Sequence, residues 1–269
     1  MGDEGLKTIS SLHHPDPTPY NLFNARCKSM NQTNGWTGRR DFLRLAGVGG
    51  VSLLGAAIAV SRSGLPALAA DVDPAAIVPA PDDALKQLLD GNRRFVQHKP
   101  KYPHQSAKRL QEVALSQHPF ATVLSCADSR VPVELLFDAG VGDLFDIRVA
   151  GNIVTPEILG SLEYAAALLG TSLIMVLGHE RCGAVIAAVK NEPLPGSIGS
   201  LVKAIKPAVS RVKGETDDLV DQVVVENVRY QIERMQKKSP VLTQLVANGK
   251  LKIVGGRYDL DTGTVTIVT

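Results

Sequence analysis

The sequence predicts an α/β fold: a mainly parallel β-sheet covered by helices on both faces, with a C-terminal antiparallel edge hairpin and an N-terminal helical arm. Three observations predict it. Short apolar runs of strand length, clearest at 173–177, lack the alternation of a half-solvated strand and read as strands buried on both faces. Helical patterns separate these runs. The chain then closes on two strand-like runs joined through Asp261-Thr262-Gly263, a hairpin signal with glycine at the turn.

Along the chain, Pro81-Asp82-Asp83 opens a helical pattern that puts Leu85, Leu88, Leu89 and Phe95 on one face. Residues 99–106 read as extended loop. Residues 120–125 form the first strand-length apolar run, and 132–137 suit a helical turn or two. A second strand is expected over 143–150. An Ala/Leu-rich helix is expected over 156–169, with proline in its first turn. The buried strand at 173–177 precedes a helix at 182–190. Two longer helices are expected at 198–212 and 219–247, the second broken at Pro240. Strands at 251–258 and 264–268 complete the pattern.

Residues 1–69 read as an export leader. Arg39-Arg40-Asp41-Phe42-Leu43-Arg44 is followed by a Gly/Ala-rich apolar run over 45–60, then Arg62, Pro66 and Ala67-Leu68-Ala69. This order of charged, apolar and small-x-small segments is that of a signal peptide, and the paired arginines resemble a twin-arginine signal. The run has 16 residues, short of the roughly 20 that span a bilayer. The expected location is therefore exported, in a periplasm or a thylakoid lumen, with no stable membrane span after processing. Residues 70–81 are a Pro- and Ala-rich linker, and 82–269 form the folded domain.

Charge excludes one class of partner. Before residue 70 there are seven basic residues and four acidic ones; after it, 22 and 23. A nearly neutral domain without a basic stripe does not suit nucleic acid. The chain has only Cys27, Cys126 and Cys182, too few for a disulfide framework. Cys27 would leave with the leader.

The two remaining cysteines fall in the segments that carry chemistry. One is Ser125-Cys126-Ala127-Asp128-Ser129-Arg130; the other is Gly178-His179-Glu180-Arg181-Cys182-Gly183. Each comes directly after an expected buried strand, where sites gather in open α/β sheets. Cys182 falls at a helix start, which favours a thiolate. Cys126, His179 and Cys182 offer two thiolates and one imidazole, a set that suits Zn2+ with a fourth position open. Water or the carboxylate of Asp128 would fill that position.

These two segments resemble the paired signatures of the β-carbonic anhydrases. Gly142-Asp143-Leu144-Phe145, Arg148-Val149-Ala150-Gly151-Asn152 and Gly160-Ser161-Leu162-Glu163-Tyr164-Ala165 are similar to the family as well, and the likeness extends over 82–268. The resemblance implies reversible hydration of CO2 to bicarbonate, with one zinc per chain and an attacking zinc hydroxide oriented by an Asp128–Arg130 dyad. It implies that Gln117 and the Gly183 amide bind substrate, and that Phe145, Ala150 and Tyr164 line its pocket. It also implies a homodimer or larger homo-oligomer. One subgroup has Trp and Gly at the positions of Val123 and Ser125, framing an inhibitory bicarbonate site; only Arg148 matches there. An open site, with Asp128 off the metal, is the expectation. A CS2 or COS hydrolase on the same scaffold, or a non-catalytic zinc- or bicarbonate-sensing domain, are the alternatives.

Overall fold

A computed structural model describes residues 78–213 and 218–269. The leader falls outside these residues. Among the described residues no helix is long and apolar enough to cross a membrane.

Helix α1 (Pro81–Val96) opens the fold, with proline in its first turn, Asp82 and Asp83 beside the N-terminal partial charge, and Arg93 and Arg94 in its last turn. It lies against the sheet, burying Ala84 and Leu88 completely. Its Asn92 donates to the carbonyls of Leu136 and Gly263 and accepts from Val265 N–H, tying the helix to the closing hairpin. Helix α2 (Ala107–Val113) follows the loop expected over 99–106, capped by the Ser106 hydroxyl, which accepts from Arg109 N–H.

The α/β alternation runs β1 (Ala121–Ser125), α3 (Val133–Leu136), β2 (Leu144–Arg148), α4 (Pro156–Ala167), β3 (Leu173–His179) and α5 (Gly183–Lys190). Next come helices α6 (Ile198–Val209), α7 (Leu219–Lys238) and α8 (Pro240–Ala247), then β4 (Lys252–Tyr258) and β5 (Val265–Ile267). The break between α7 and α8 falls at Ser239, whose hydroxyl caps α8 by accepting from Leu242 N–H.

The sheet order is β2-β1-β3-β4-β5. The first four strands are parallel, and β5 pairs antiparallel with β4. Side chains alternate across the pleat. Leu173, Met175 and Leu177 of β3 pack with Val123, α1 and α3; Ile174 and Val176 pack on the other face with Leu162 of α4, Val228 and Met235 of α7 and Leu242 of α8. Both faces of β3 are dry, which explains its unbroken apolar run. The strand also runs two residues beyond the expected 173–177, so His179 is its last residue. Gly178 makes this crossing fit: a Cβ there would lie 2.7 Å from Val228 Cγ2 on α7.

Candidate metal centre

The parallel topology brings the ends of β1 and β3 side by side, with Ser125 paired to Leu177. Cys126 therefore leaves β1 directly beside the place where His179 ends β3. Arg181, at φ +51°, turns the chain between His179 and Cys182. Its guanidinium holds both carboxylate oxygens of Asp261, at 2.9 and 2.7 Å, anchoring the turn to the hairpin. Cys182 lands at the N-cap position of α5.

The result is a buried triad. The ligand atoms of Cys126, His179 and Cys182 all lie within 4.8 Å of one another. Both cysteines are free and buried. His179 Nδ1 donates to the Glu180 carbonyl at 2.8 Å, which leaves the lone pair on Nε2. That Nε2 is buried and has no hydrogen-bond partner. An orphaned imidazole nitrogen facing two sulfurs costs free energy unless a cation takes it up.

The sulfurs point the same way. The hydrogen bond from Cys182, and then the Gly151 N–H, hold the Cys126 thiol far below its usual range. Its hydrogen bond with that sulfur, and then burial, push Cys182 well up. The pair thus shares one proton, and a bound dication is what lets both sulfurs ionise. Two thiolates and one imidazole, closed in by protein, fit zinc.

Asp128 lies beside the triad. Its Oδ2 is 3.8 Å from His179 Nε2. Arg130 grips the carboxylate at both oxygens: Nε donates to Oδ1 at 2.9 Å, Nη2 to Oδ2 at 2.8 Å, and the Arg130 backbone N–H adds 2.9 Å to Oδ1. This fork is the geometry in which arginine binds a carboxylate best. The Arg130 hydrogen bonds hold Asp128 well below the usual carboxylate range, so it is ionised at neutral pH. Arg148 braces the same loop, donating to the carbonyls of Cys126 at 3.1 Å and Asp128 at 2.6 Å. Val123 and Ser125 are fully buried in the sheet.

The other expected residues divide into two groups. Gly183 begins α5, whose first-turn amides have no helical partner, and a Cβ there would meet nothing within 4 Å. Ala150 adjoins Gly151, whose N–H donates to Cys126 Sγ at 3.3 Å. Both are thus chain neighbours of residues at the centre, Gly183 following Cys182 and Ala150 preceding Gly151. Phe145 pairs with Thr122, four positions before Cys126. Tyr164 stacks near it, ring centroids 6.1 Å apart and tilted. Gln117 precedes β1, a strand of about 16 Å, and is exposed. One chain therefore does not bring Gln117, Phe145 or Tyr164 to its own triad. His104 pairs with Asp143, 2.6 Å away, and His118 lies 3.2 Å from Ser116 Oγ.

Sequence reasoning missed the outer supports of the centre. Asn227, Gln231 and Arg234 on α7 bind the backbone of the loop at 151–154. Their spacing of four and three residues was the available signal, since it sets two amides on the same helix face as buried valines.

Comparison with known proteins agrees with this geometry. The family described as carbonic anhydrase matches residues 121–265. Carbonic anhydrase 2 of Mycobacterium tuberculosis is 39% identical over 193 residues, covering 70% of this chain and 92% of that protein. Among solved structures, the β-carbonic anhydrase CcaA aligns with a TM-score of 0.54 at 28% identity, over 68% of this chain and 94% of its own. A Coccomyxa β-carbonic anhydrase solved with acetazolamide gives a TM-score of 0.54 at 28% identity, over 68% of this chain and 85% of its own. With the family match spanning more than half of the chain and the signature residues gathered into one buried triad, this chain belongs to the β-carbonic anhydrase family.

Proposed function

We infer that the Cys126–His179–Cys182 centre catalyses the reversible hydration of CO2 to bicarbonate and a proton. The observation that carries the reading is the buried triad with its orphaned imidazole nitrogen, set beside a carboxylate already forked by arginine. Zinc held there supplies Lewis acidity and brings the ionisation of a water toward neutral pH.

The residues of the chain do the rest. Asp128 stays ionised and accepts an O–H from the attacking water, which aims the oxygen lone pair at the carbon of CO2. Arg130 keeps that carboxylate off the metal position. The Gly183 N–H, at the positive end of α5, stabilises charge developing on the bicarbonate oxygens. Ala150 packs against the substrate.

Gln117, Phe145 and Tyr164 serve as substrate residues only if a second copy brings them. Strand β2 is an edge of the sheet, and Tyr164 beside it is 44% exposed. An uncovered edge carrying aromatic surface suits pairing with another chain. We therefore read the working protein as a homodimer or larger homo-oligomer whose centres are completed across the interface.

Stopped-flow CO2 hydration by the zinc-loaded protein tests the activity, with CS2 and COS as alternate substrates. Turnover of CO2 well above either alternate is the expected result. Hydrolysis of CS2 or COS without CO2 hydration would move the chain to the hydrolase reading. Tight zinc binding with no turnover would leave a sensing domain.

We further propose that 1–69 is a twin-arginine leader, 70–81 a linker and 82–269 the catalytic domain. The leader reading rests on the sequence layout alone. Replacing Arg39 and Arg40 together by lysine should hold the precursor inside the cell, because this signal is read by a receptor. Fractionation of the expressing cell checks it, and unchanged export would point to the general secretory route.

A further inference from the structure

The loop at 151–154 is irregular in conformation and buried at every residue. Such a segment needs partners for its backbone polar groups, because neither a strand nor water supplies them. Helix α7 supplies them from one face. Asn227 Nδ2 donates to the Gly151 carbonyl at 3.0 Å. Gln231 Oε1 accepts from Val154 N–H at 2.9 Å. Arg234 Nε donates to the Val154 carbonyl at 2.9 Å. The two amides are also linked, with Gln231 Nε2 donating to Asn227 Oδ1 at 3.0 Å. Asn227 is 1% exposed and Gln231 is fully buried.

Uncharged amides are costly to bury unless each polar atom is used; here one atom of each goes to this short loop, and the others bind each other and the Ala204 carbonyl. That loop begins at the residue whose N–H points at a metal ligand. Gly151 has φ +74°, and a Cβ on it would lie 2.6 Å from Ile205 Cδ1 and 3.1 Å from Ala184 Cβ. The glycine is pressed between α5 and α6 on one side, while Asn227 holds its carbonyl on the other. Its N–H reaches Cys126 Sγ at 3.3 Å.

We propose that Asn227 and Gln231 are positioning residues of the metal centre: by holding the Gly151 carbonyl and the Val154 N–H they fix the start of the loop, and with it the preceding Ala150–Gly151 peptide, whose N–H lies on the Cys126 sulfur. The inference rests on zinc binding at Cys126, His179 and Cys182. An N–H donor draws charge from a thiolate, so it limits how much charge that sulfur gives the metal. Partners one layer outside a metal's ligands tune it in this way, and their loss typically costs about 10- to 100-fold in affinity or activity. Helix α7 thereby acts on the centre through a residue 76 positions away in the chain.

The test uses the cobalt-substituted full-length mature protein and reads the thiolate-to-cobalt charge-transfer band, beside the pH midpoint of CO2 hydration in the zinc form. Asn227→Leu removes the donor to Gly151. Asn227→Ser does so with a smaller side chain, in case the leucine variant fails to fold. The control is Leu242→Ala, a core truncation on α8 in the apolar cluster that also holds Val154, which removes packing but no hydrogen bond to the loop and no ligand. Both Asn227 variants should move the band to longer wavelength, raise the pH midpoint and lower cobalt affinity about 10-fold. Leu242→Ala should lose thermal stability while leaving band and midpoint in place. A folded Asn227 variant with an unshifted band, or an equal shift in Leu242→Ala, would overturn the proposal. Absence of any thiolate band in the unmutated protein would instead sink the metal assignment beneath it.

Discussion

Replacing Cys182 by serine should strip the protein of most of its zinc and cut CO2 hydration by more than about 100-fold, since changes one layer outside a metal's ligands already cost 10- to 100-fold. Serine fits the space but not the chemistry. Its hydroxyl is harder and far less acidic than a thiol, so it neither suits zinc nor ionises readily. The remaining set, Cys126 and His179, would be one thiolate and one imidazole. The orphaned Nε2 of His179 would again lack a partner. Cys182 sits at the N-cap position of α5 without a side-chain capping bond, so the substitution spares the helix. Metal per chain, measured by mass spectrometry on the folded variant, decides the matter. Full zinc retention would show that Cys182 is not a ligand.

Arg130→Ala should leave zinc near one per chain while CO2 hydration falls about 100-fold, the lower range for losing a positioned acid–base group. In the wild type, three hydrogen bonds from Arg130 hold Asp128, two of them from the guanidinium. Removing these two frees a carboxylate whose Oδ2 is already 3.8 Å from His179 Nε2. The freed carboxylate can then turn onto the metal and take the position water needs. The same contact sets the pH dependence. Arg130 depresses the Asp128 pKa, so the carboxylate is charged across the neutral range in the wild type. The wild-type rate should therefore track one ionisation of the attacking water and decline smoothly as pH falls. In the variant, Asp128 competes with that water for the metal, and the decline should steepen. Zinc content beside stopped-flow rates over a pH series tests this. Normal zinc with a normal rate would make Arg130 a surface ion-pair residue worth little.

The candidate ligands were legible because their local context is written in adjacent residues. A continuous apolar run marks a buried strand, and the residues just past its carboxyl end sit at the edge of the sheet where sites form. That placement accounts for Cys126, His179 and Cys182; the Asp128–Arg130 dyad was legible only through the resemblance to the family. Helix α2 was not legible: with seven residues it is shorter than the window in which a helical period stands out, and none of its residues is buried. Only Ser106, a capping residue, signalled it. Gln117, Phe145 and Tyr164 stand in the right segments, yet the register sets Phe145 level with Thr122 rather than with Cys126. The sequence motif names such residues without saying which copy they serve.

By itself the sequence determined the α/β class, the mainly parallel sense of short buried strands with a closing hairpin, and the metal-binding chemistry of two sulfurs and an imidazole. Each of these depends on residue type and short-range period. The tertiary structure alone decided that Asn227, Gln231 and Arg234 face the loop at 151–154, that Asp261 restrains the turn between His179 and Cys182, and that Asn92 ties α1 to the hairpin. These contacts join residues 76 to 173 positions apart. No local pattern encodes them, because which polar groups meet is settled by how helices dock on the sheet and by the need of buried backbone for partners.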